Sequence, residues 1–106
     1  MEIKEITPQE LHKNINAYKL IDVRGADEYT GELGHIKGAE LITMGEDLDN
    51  WMETADKNKP IVFICRSGGR SGKTTLQAMM NDFAEVYNMS GGMIQWNEDG
   101  LEVVKA

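Results

Sequence analysis

Cysteine occurs once in this chain, at Cys65, and proline only twice. One cysteine excludes an internal disulfide framework. With only His12 and His35 beside it, a closed four-ligand Cys/His zinc site is not expected either. Neither a metal nor a cofactor is expected. No apolar run reaches the length of a membrane span, and the opening residues Met1-Glu2-Ile3-Lys4-Glu5-Ile6 carry no basic leader. The expected compartment is therefore the reducing cytoplasm, which a working free thiol needs. Positive charge is also scarce. Eleven Lys and Arg stand against 18 Asp and Glu, a net charge of -7, which argues against a nucleic-acid or anionic-membrane partner, because both require a basic footprint. A local anion site is not excluded.

What is present is ordinary for a soluble globular chain. At 106 residues, 41% hydrophobic and 27% charged, the expectation is one domain over residues 1–106 with a modest core. Ile3 to Ile6 reads as a short strand. Thr7-Pro8-Gln9-Glu10 then reads as a helix start, with Thr7 as N-cap, Pro8 in the first turn and Glu10 closing a capping box. Leu11 and Ile15 would face the core. Tyr18 to Val23 is a second strand, Asp27-Glu28-Tyr29 a helical turn, and Ala39 to Thr43 a third strand. Leu48, Trp51 and Met52 mark the buried side of an acidic helix over Glu46 to Thr54.

Pro60 opens the strand Ile61 to Ile64, an unbroken apolar run of the kind buried on both faces of a parallel sheet. Ser71 to Asn81 is the next helix, with Leu76, Met79, Met80 and Phe83 as its predicted core face and Ser71 as its cap. Ala84 to Tyr87 is a fifth strand, Ser90-Gly91-Gly92 a turn, and Met93 to Asn97 a last helix. The methionines and Trp51 read as core filling. This alternation implies an α/β fold with a mainly parallel five-stranded sheet and helices on both faces. Such sheets bind ligands beyond the carboxyl ends of their strands, where Cys65 lies.

The segment Cys65-Arg66-Ser67-Gly68-Gly69-Arg70-Ser71-Gly72-Lys73 joins that strand to that helix, and no acidic residue occurs from Ile61 to Asn81. A helix N-terminus leaves N–H groups unpaired and favours an anion, so a thiol placed there ionises more readily. Three chemistries compete for the loop. A nucleotide P-loop requires glycine where Ser67 stands, and it leaves Cys65 idle. A cysteine phosphatase spaces cysteine and arginine as C-x5-R, whereas Cys65 and Arg70 form the tighter C-x4-R. The third is sulfur transfer, in which a small ring of amides holds one extra sulfur atom.

The loop from Cys65 to Ser71 resembles the active-site loop of single-domain rhodanese-like sulfurtransferases. Asp22-Val23-Arg24, Glu28-Tyr29 and Gly34-His35-Ile36-Lys37-Gly38-Ala39 resemble that family's N-terminal signature. Gly91-Gly92-Met93-Ile94-Gln95-Trp96 resembles the glycine pair and tryptophan of its last helix. The segment Thr30 to Leu33 is longer than is usual there, and Thr43 stands where a proline is common. The resemblance implies a rhodanese-like fold and a thiosulfate sulfurtransferase activity with Cys65 as nucleophile. Arg66, Ser67, Gly68, Gly69, Arg70 and Ser71 would then bind the substrate, with Arg70 holding the loop's shape as much as touching it. Its partners would be a small anionic sulfur donor and an acceptor that is cyanide, a thiol or a protein. The alternatives are a persulfide carrier loaded by a protein partner, and a cysteine phosphatase or arsenate-handling enzyme. Asp22, Arg24, Glu28 and His35 read as structural, Lys73 as exposed.

Overall fold

A computed structural model describes residues 2–106. Five strands form one sheet: β1 (Lys4–Ile6), β2 (Lys19–Asp22), β3 (Glu40–Leu41), β4 (Ile61–Ile64) and β5 (Val86–Met89). Their spatial order is β1-β5-β4-β2-β3, and every pairing is parallel. Parallel neighbours require crossovers, which the helices α1 (Pro8–Lys13), α2 (Ala26–Tyr29), α3 (Glu46–Thr54), α4 (Gly69–Met80) and α5 (Gly92–Glu98) help to supply. This is the expected α/β architecture.

β4 lies at the centre of the sheet, and all four of its side chains are fully buried. Each contributes about 1.5–3 kcal/mol of burial relative to exposure. Alternate residues of the strands feed two cores. Ile21, Phe63 and Val86 pack with Leu48 and Met52 of α3 and Ala78 of α4. Leu20, Val62, Ile64 and Met89 pack on the opposite face with Leu11 of α1 and Met93 and Trp96 of α5. The capping box forms as read: Glu10 N–H donates to Thr7 Oγ1 at 3.1 Å, and Thr7 N–H donates to Glu10 Oε1 at 2.9 Å. Ile15 falls in a short 3-10 turn (Ile15–Ala17) and is only half-buried.

Two expectations need correction. The α4 core face is only half as read: Phe83, just past the helix, is buried and Met79 packs partly buried against the same core, but Leu76 is 36% exposed and Met80 69% exposed. The buried face carries Ser71, Thr74, Thr75 and Ala78 instead. Short side chains let the helix axis approach the sheet closely, and Thr74 and Thr75 satisfy their hydroxyls on the carbonyls of Arg70 and Ser71. The small and polar face therefore packs, with Met79 at its edge, while Leu76 and Met80 look outward. Among the other methionines, Met52, Met89 and Met93 do fill the core. Met1 lies outside the described residues.

The second correction concerns the last strand, which runs from Val86 to Met89 and not from Ala84 to Tyr87. The shift makes Asn88 a strand residue. Its register partners are Glu5 on β1 and Phe63 on β4.

Candidate active site

Buried strand β4 delivers Cys65 to the carboxyl end of the sheet, where the residue is 1% exposed. The chain then turns over Arg66 and Ser67, both exposed, into Gly68. Gly68 has φ +103, a left-handed conformation that suits glycine. Helix α4 starts at the next residue, so the N-cap is Gly68 and not Ser71. Ser71 has another task. Its hydroxyl lies 3.2 Å from Cys65 Sγ, and Gly68 N–H donates to the same sulfur at 3.1 Å.

Burial is the largest single influence on the Cys65 thiol and raises its pKa. It is outweighed by the combined hydrogen bonds of Ser71 Oγ and of the Ser71, Gly68 and Ser67 amides, so the thiol ionises below its ordinary value. This is an anion nest closed on a sulfur atom.

Arg70 is committed to a carboxylate. Its guanidinium donates from Nη1 and Nη2 to the two carboxylate oxygens of Glu28, each at 2.8 Å. That contact, first among its causes, lowers the Glu28 carboxyl to about 2. Glu28 is in turn held by Arg24, which is buried with Asp22. Arg24 Nε and Nη2 donate to Asp22 at 2.9 and 2.7 Å, Nη2 also to the Gly34 carbonyl at 2.8 Å, and Nη1 to the Glu28 carbonyl at 3.2 Å. A fixed line of charge thus runs from the end of β2 to the loop. His35 stacks on Tyr29 with ring centroids 3.6 Å apart, and its Nδ1 lies 2.8 Å from the Tyr29 carbonyl. It braces the turn after α2.

The glycine pair holds the loop from its other side. Met93 N–H donates to the Cys65 carbonyl at 2.9 Å and Ile94 N–H to the Arg66 carbonyl at 3.0 Å. A side chain at Gly92 would place its Cβ 2.6 Å from the Cys65 carbonyl oxygen, and closer still to that of Arg66. Only glycine permits this approach.

Arg66 forms no ion pair among the described residues. It borders a groove of about 450 Å³ shared with Asp27, Glu28, Glu32 and Ile94. Exposed Gly69 completes the loop's outer rim. The described residues hold no cluster of three or more His, Cys, Asp or Glu suited to a metal ion.

Sequence reasoning missed two residues of this site. Gly92 reads in the sequence as a turn residue and as one of the glycine pair, with no signal of its contact with the Cys65 loop. Asn88 was hidden by the misplaced strand; a polar residue between buried Val86 and Met89 was the available signal. Asn88 Oδ1 lies 2.5 Å from Ser71 Oγ, and its Nδ2 donates to Glu5 Oε2 and to the Gly68 carbonyl, both at 3.1 Å.

The same architecture recurs in known proteins. The chain is 46% identical over 99 residues to the candidate sulfurtransferase YtwF of Bacillus subtilis, covering 91% of this chain and 92% of that one. It is 35% identical over 77 residues to the thiosulfate sulfurtransferase GlpE of Coxiella burnetii, covering 73% and 69%. Among solved structures, a rhodanese-like domain protein from Staphylococcus aureus superposes with a TM-score of 0.80 at 30% identity, covering 95% of this chain and 98% of that one. The model of the rhodanese-like domain matches residues 7–99, from the Thr7 cap through the sulfur loop and past α5. With fold, loop and relatives in agreement, this chain belongs to the rhodanese-like domain family.

Proposed function

We propose that the protein is a thiosulfate sulfurtransferase that works through a persulfide on Cys65. The observation that carries this reading is the set of donors converging on Cys65 Sγ. They favour the thiolate, which is the nucleophilic form.

In the first step the thiolate attacks the sulfane sulfur of thiosulfate. A new S–S bond forms, the old one breaks, and its electron pair departs with sulfite. The terminal sulfur of the Cys65 persulfide is then an anion one bond further from the backbone. Amides of Ser67, Gly68 and Ser71 are the groups to stabilise it, an electrostatic role like that of an oxyanion hole. In the second step a thiophilic acceptor takes that sulfur, and the electron pair of the broken S–S bond returns to Cys65. Cys65 is the only cysteine of the sequence, so no disulfide within this chain can discharge the persulfide. Cyanide or a thiol fills the acceptor's role in an assay.

Arg66, exposed at the rim, attracts the dianionic donor. Arg70 acts at one remove, because both of its terminal nitrogens are engaged by Glu28. It braces the loop, the role open to it in the sequence beside contact with substrate.

The test is an intact mass of the reduced protein after incubation with thiosulfate. The expected result is the gain of one sulfur atom, removed by cyanide with release of thiocyanate and absent in Cys65→Ser. No adduct, with phosphate released from an aryl phosphate, would overturn the reading in favour of a phosphatase. No adduct from thiosulfate, with loading by a protein persulfide donor, would assign a carrier role.

A further inference from the structure

A hydroxyl carries one proton, yet Ser71 Oγ sits within hydrogen-bond distance of two acceptors: Cys65 Sγ at 3.2 Å and Asn88 Oδ1 at 2.5 Å. Ser71 is fully buried and Asn88 is 3% exposed, so bulk water does not supply a second donor. The orientation of the Asn88 amide is decided by its other end. Nδ2 donates to the Glu5 carboxylate and to the Gly68 carbonyl. Reversing the amide would set Oδ1 against these two acceptors, an arrangement with no proton between any of the three oxygens. The amide is thereby locked with its oxygen toward Ser71.

We propose that Asn88 is a positioning residue for the Cys65 chemistry, one that competes with the sulfur for the proton of Ser71. While Cys65 is a thiol, Ser71 donates to Asn88 Oδ1 and accepts from the S–H. When Cys65 becomes a thiolate, the Ser71 hydroxyl turns its proton to the sulfur and gives up the Asn88 bond. Only hydrogen bonds are exchanged; the S–H proton leaves to solvent, and no covalent bond to Ser71 or Asn88 changes. Asn88 thus biases the site toward the thiol, and Glu5 sets that bias from the neighbouring strand through its register with Asn88. The second bond of Nδ2 ties the same amide to the Gly68 carbonyl, within the loop that supplies an N–H to the sulfur. The other charged groups around the loop are Arg66, the Arg70–Glu28 pair from α4 and α2, and the Asp22–Arg24 pair beyond β2. The first turn of α5 brings no acidic residue.

The proposal rests on Cys65 as the reacting sulfur, but its test does not require sulfur transfer. The apparent pKa of the lone thiol is read from thiolate absorbance and from the pH dependence of iodoacetamide alkylation. Asn88→Ala is expected to lower it by about half to one pH unit, the size of one neutral hydrogen bond. Ser71→Ala is expected to raise it, and adding Asn88→Ala to Ser71→Ala is expected to change nothing further. Glu5 is exposed, so Glu5→Gln tests the same relay if Asn88→Ala fails to fold. It replaces the charged acceptor by a weaker one that can also donate, which should loosen the amide and lower the thiol pKa, again only while Ser71 is present. A rise or no change in Asn88→Ala overturns the proposal. So does any effect of Asn88→Ala or Glu5→Gln that persists without Ser71, since that would be a through-space or loop-wide effect. Loss of the mass adduct with these titrations intact would instead remove the sulfurtransferase reading alone.

Discussion

Glu28 and Arg70 meet across 42 residues of sequence in a two-pronged ion pair, with both N···O distances at 2.8 Å. The pair joins the short helix α2 to the first turn of α4, the helix that follows the sulfur loop. Such a fork-to-fork contact fixes orientation as well as distance.

This pair predicts an acid limb in stability. The Glu28 carboxyl falls from 4.5 to about 2, chiefly through the Arg70 hydrogen bonds. A depressed carboxyl stabilises the fold fully above its unfolded value and loses that contribution as pH falls through the folded value. Stability from Glu28 is therefore complete above about pH 4.5 and lost toward pH 2. The side chains of Arg70 and Glu28 are 40% and 31% exposed, so solvent screening holds the contribution to about 1 kcal/mol. Urea midpoints for Glu28→Gln, measured from pH 2 to 7, should start lower and fall less steeply on the acid side than those of the parent protein. Parallel curves would show that the pair contributes nothing.

Gly92→Ala should be among the most damaging single-methyl additions in the chain. The new Cβ would enter the space of the Cys65 and Arg66 carbonyls, at a position with φ +58. Both the clash and the left-handed backbone oppose it, for a combined loss of at least about 2 kcal/mol. Denaturant unfolding checks the stability and thiosulfate loading checks the loop. Gly69→Ala is the control, because nothing lies within 4 Å of a Cβ there.

Arg66→Ala should raise KM for thiosulfate by about fivefold and leave kcat nearly unchanged, as expected for an exposed charge that attracts a dianion without touching the reacting sulfur. Added salt should narrow the difference between variant and parent. Initial rates with cyanide as acceptor, at two ionic strengths, provide the measurement. A fall in kcat with KM unchanged would place Arg66 in the transition state instead.

The outward face of α4 supplies a stability test. Met80→Lys should stay within about 0.5 kcal/mol of the parent, since Met80 is 69% exposed. Ala78→Leu, on the packed face, should cost about 1–3 kcal/mol by overfilling the contact between α4 and the sheet. Equal effects would contradict the packing described above.

The half-misread face of α4, where Met79 and Phe83 pack inward but Leu76 and Met80 do not, also shows where sequence patterning reaches its limit. Leu76, Met79, Met80 and Phe83 repeat at helical spacing, and periodicity alone selects them. Hydropathy does not record how closely a helix can approach a sheet, and that closeness favours Ser71, Thr74, Thr75 and Ala78. The α3 helix was legible to the residue, because its apolar spacing and its packing agree. The β5 boundary was not, because a buried asparagine and a half-buried tyrosine blur a four-residue apolar signal.

The sequence by itself determined the things that local chemistry decides. The scarcity of cysteine, the apolar run ending at Cys65, the glycines after it and the capping box at Thr7 are all properties of short stretches. They were enough for an α/β fold and for a lone thiol placed just before a helix start. Tertiary structure alone decided which groups meet. Arg70 commits its guanidinium to Glu28, α5 binds the carbonyls of Cys65 and Arg66, and Asn88 meets the Ser71 hydroxyl. These partners lie 17 to 42 residues apart along the chain where side chains meet. Their contacts depend on strand order and register, which no local pattern encodes.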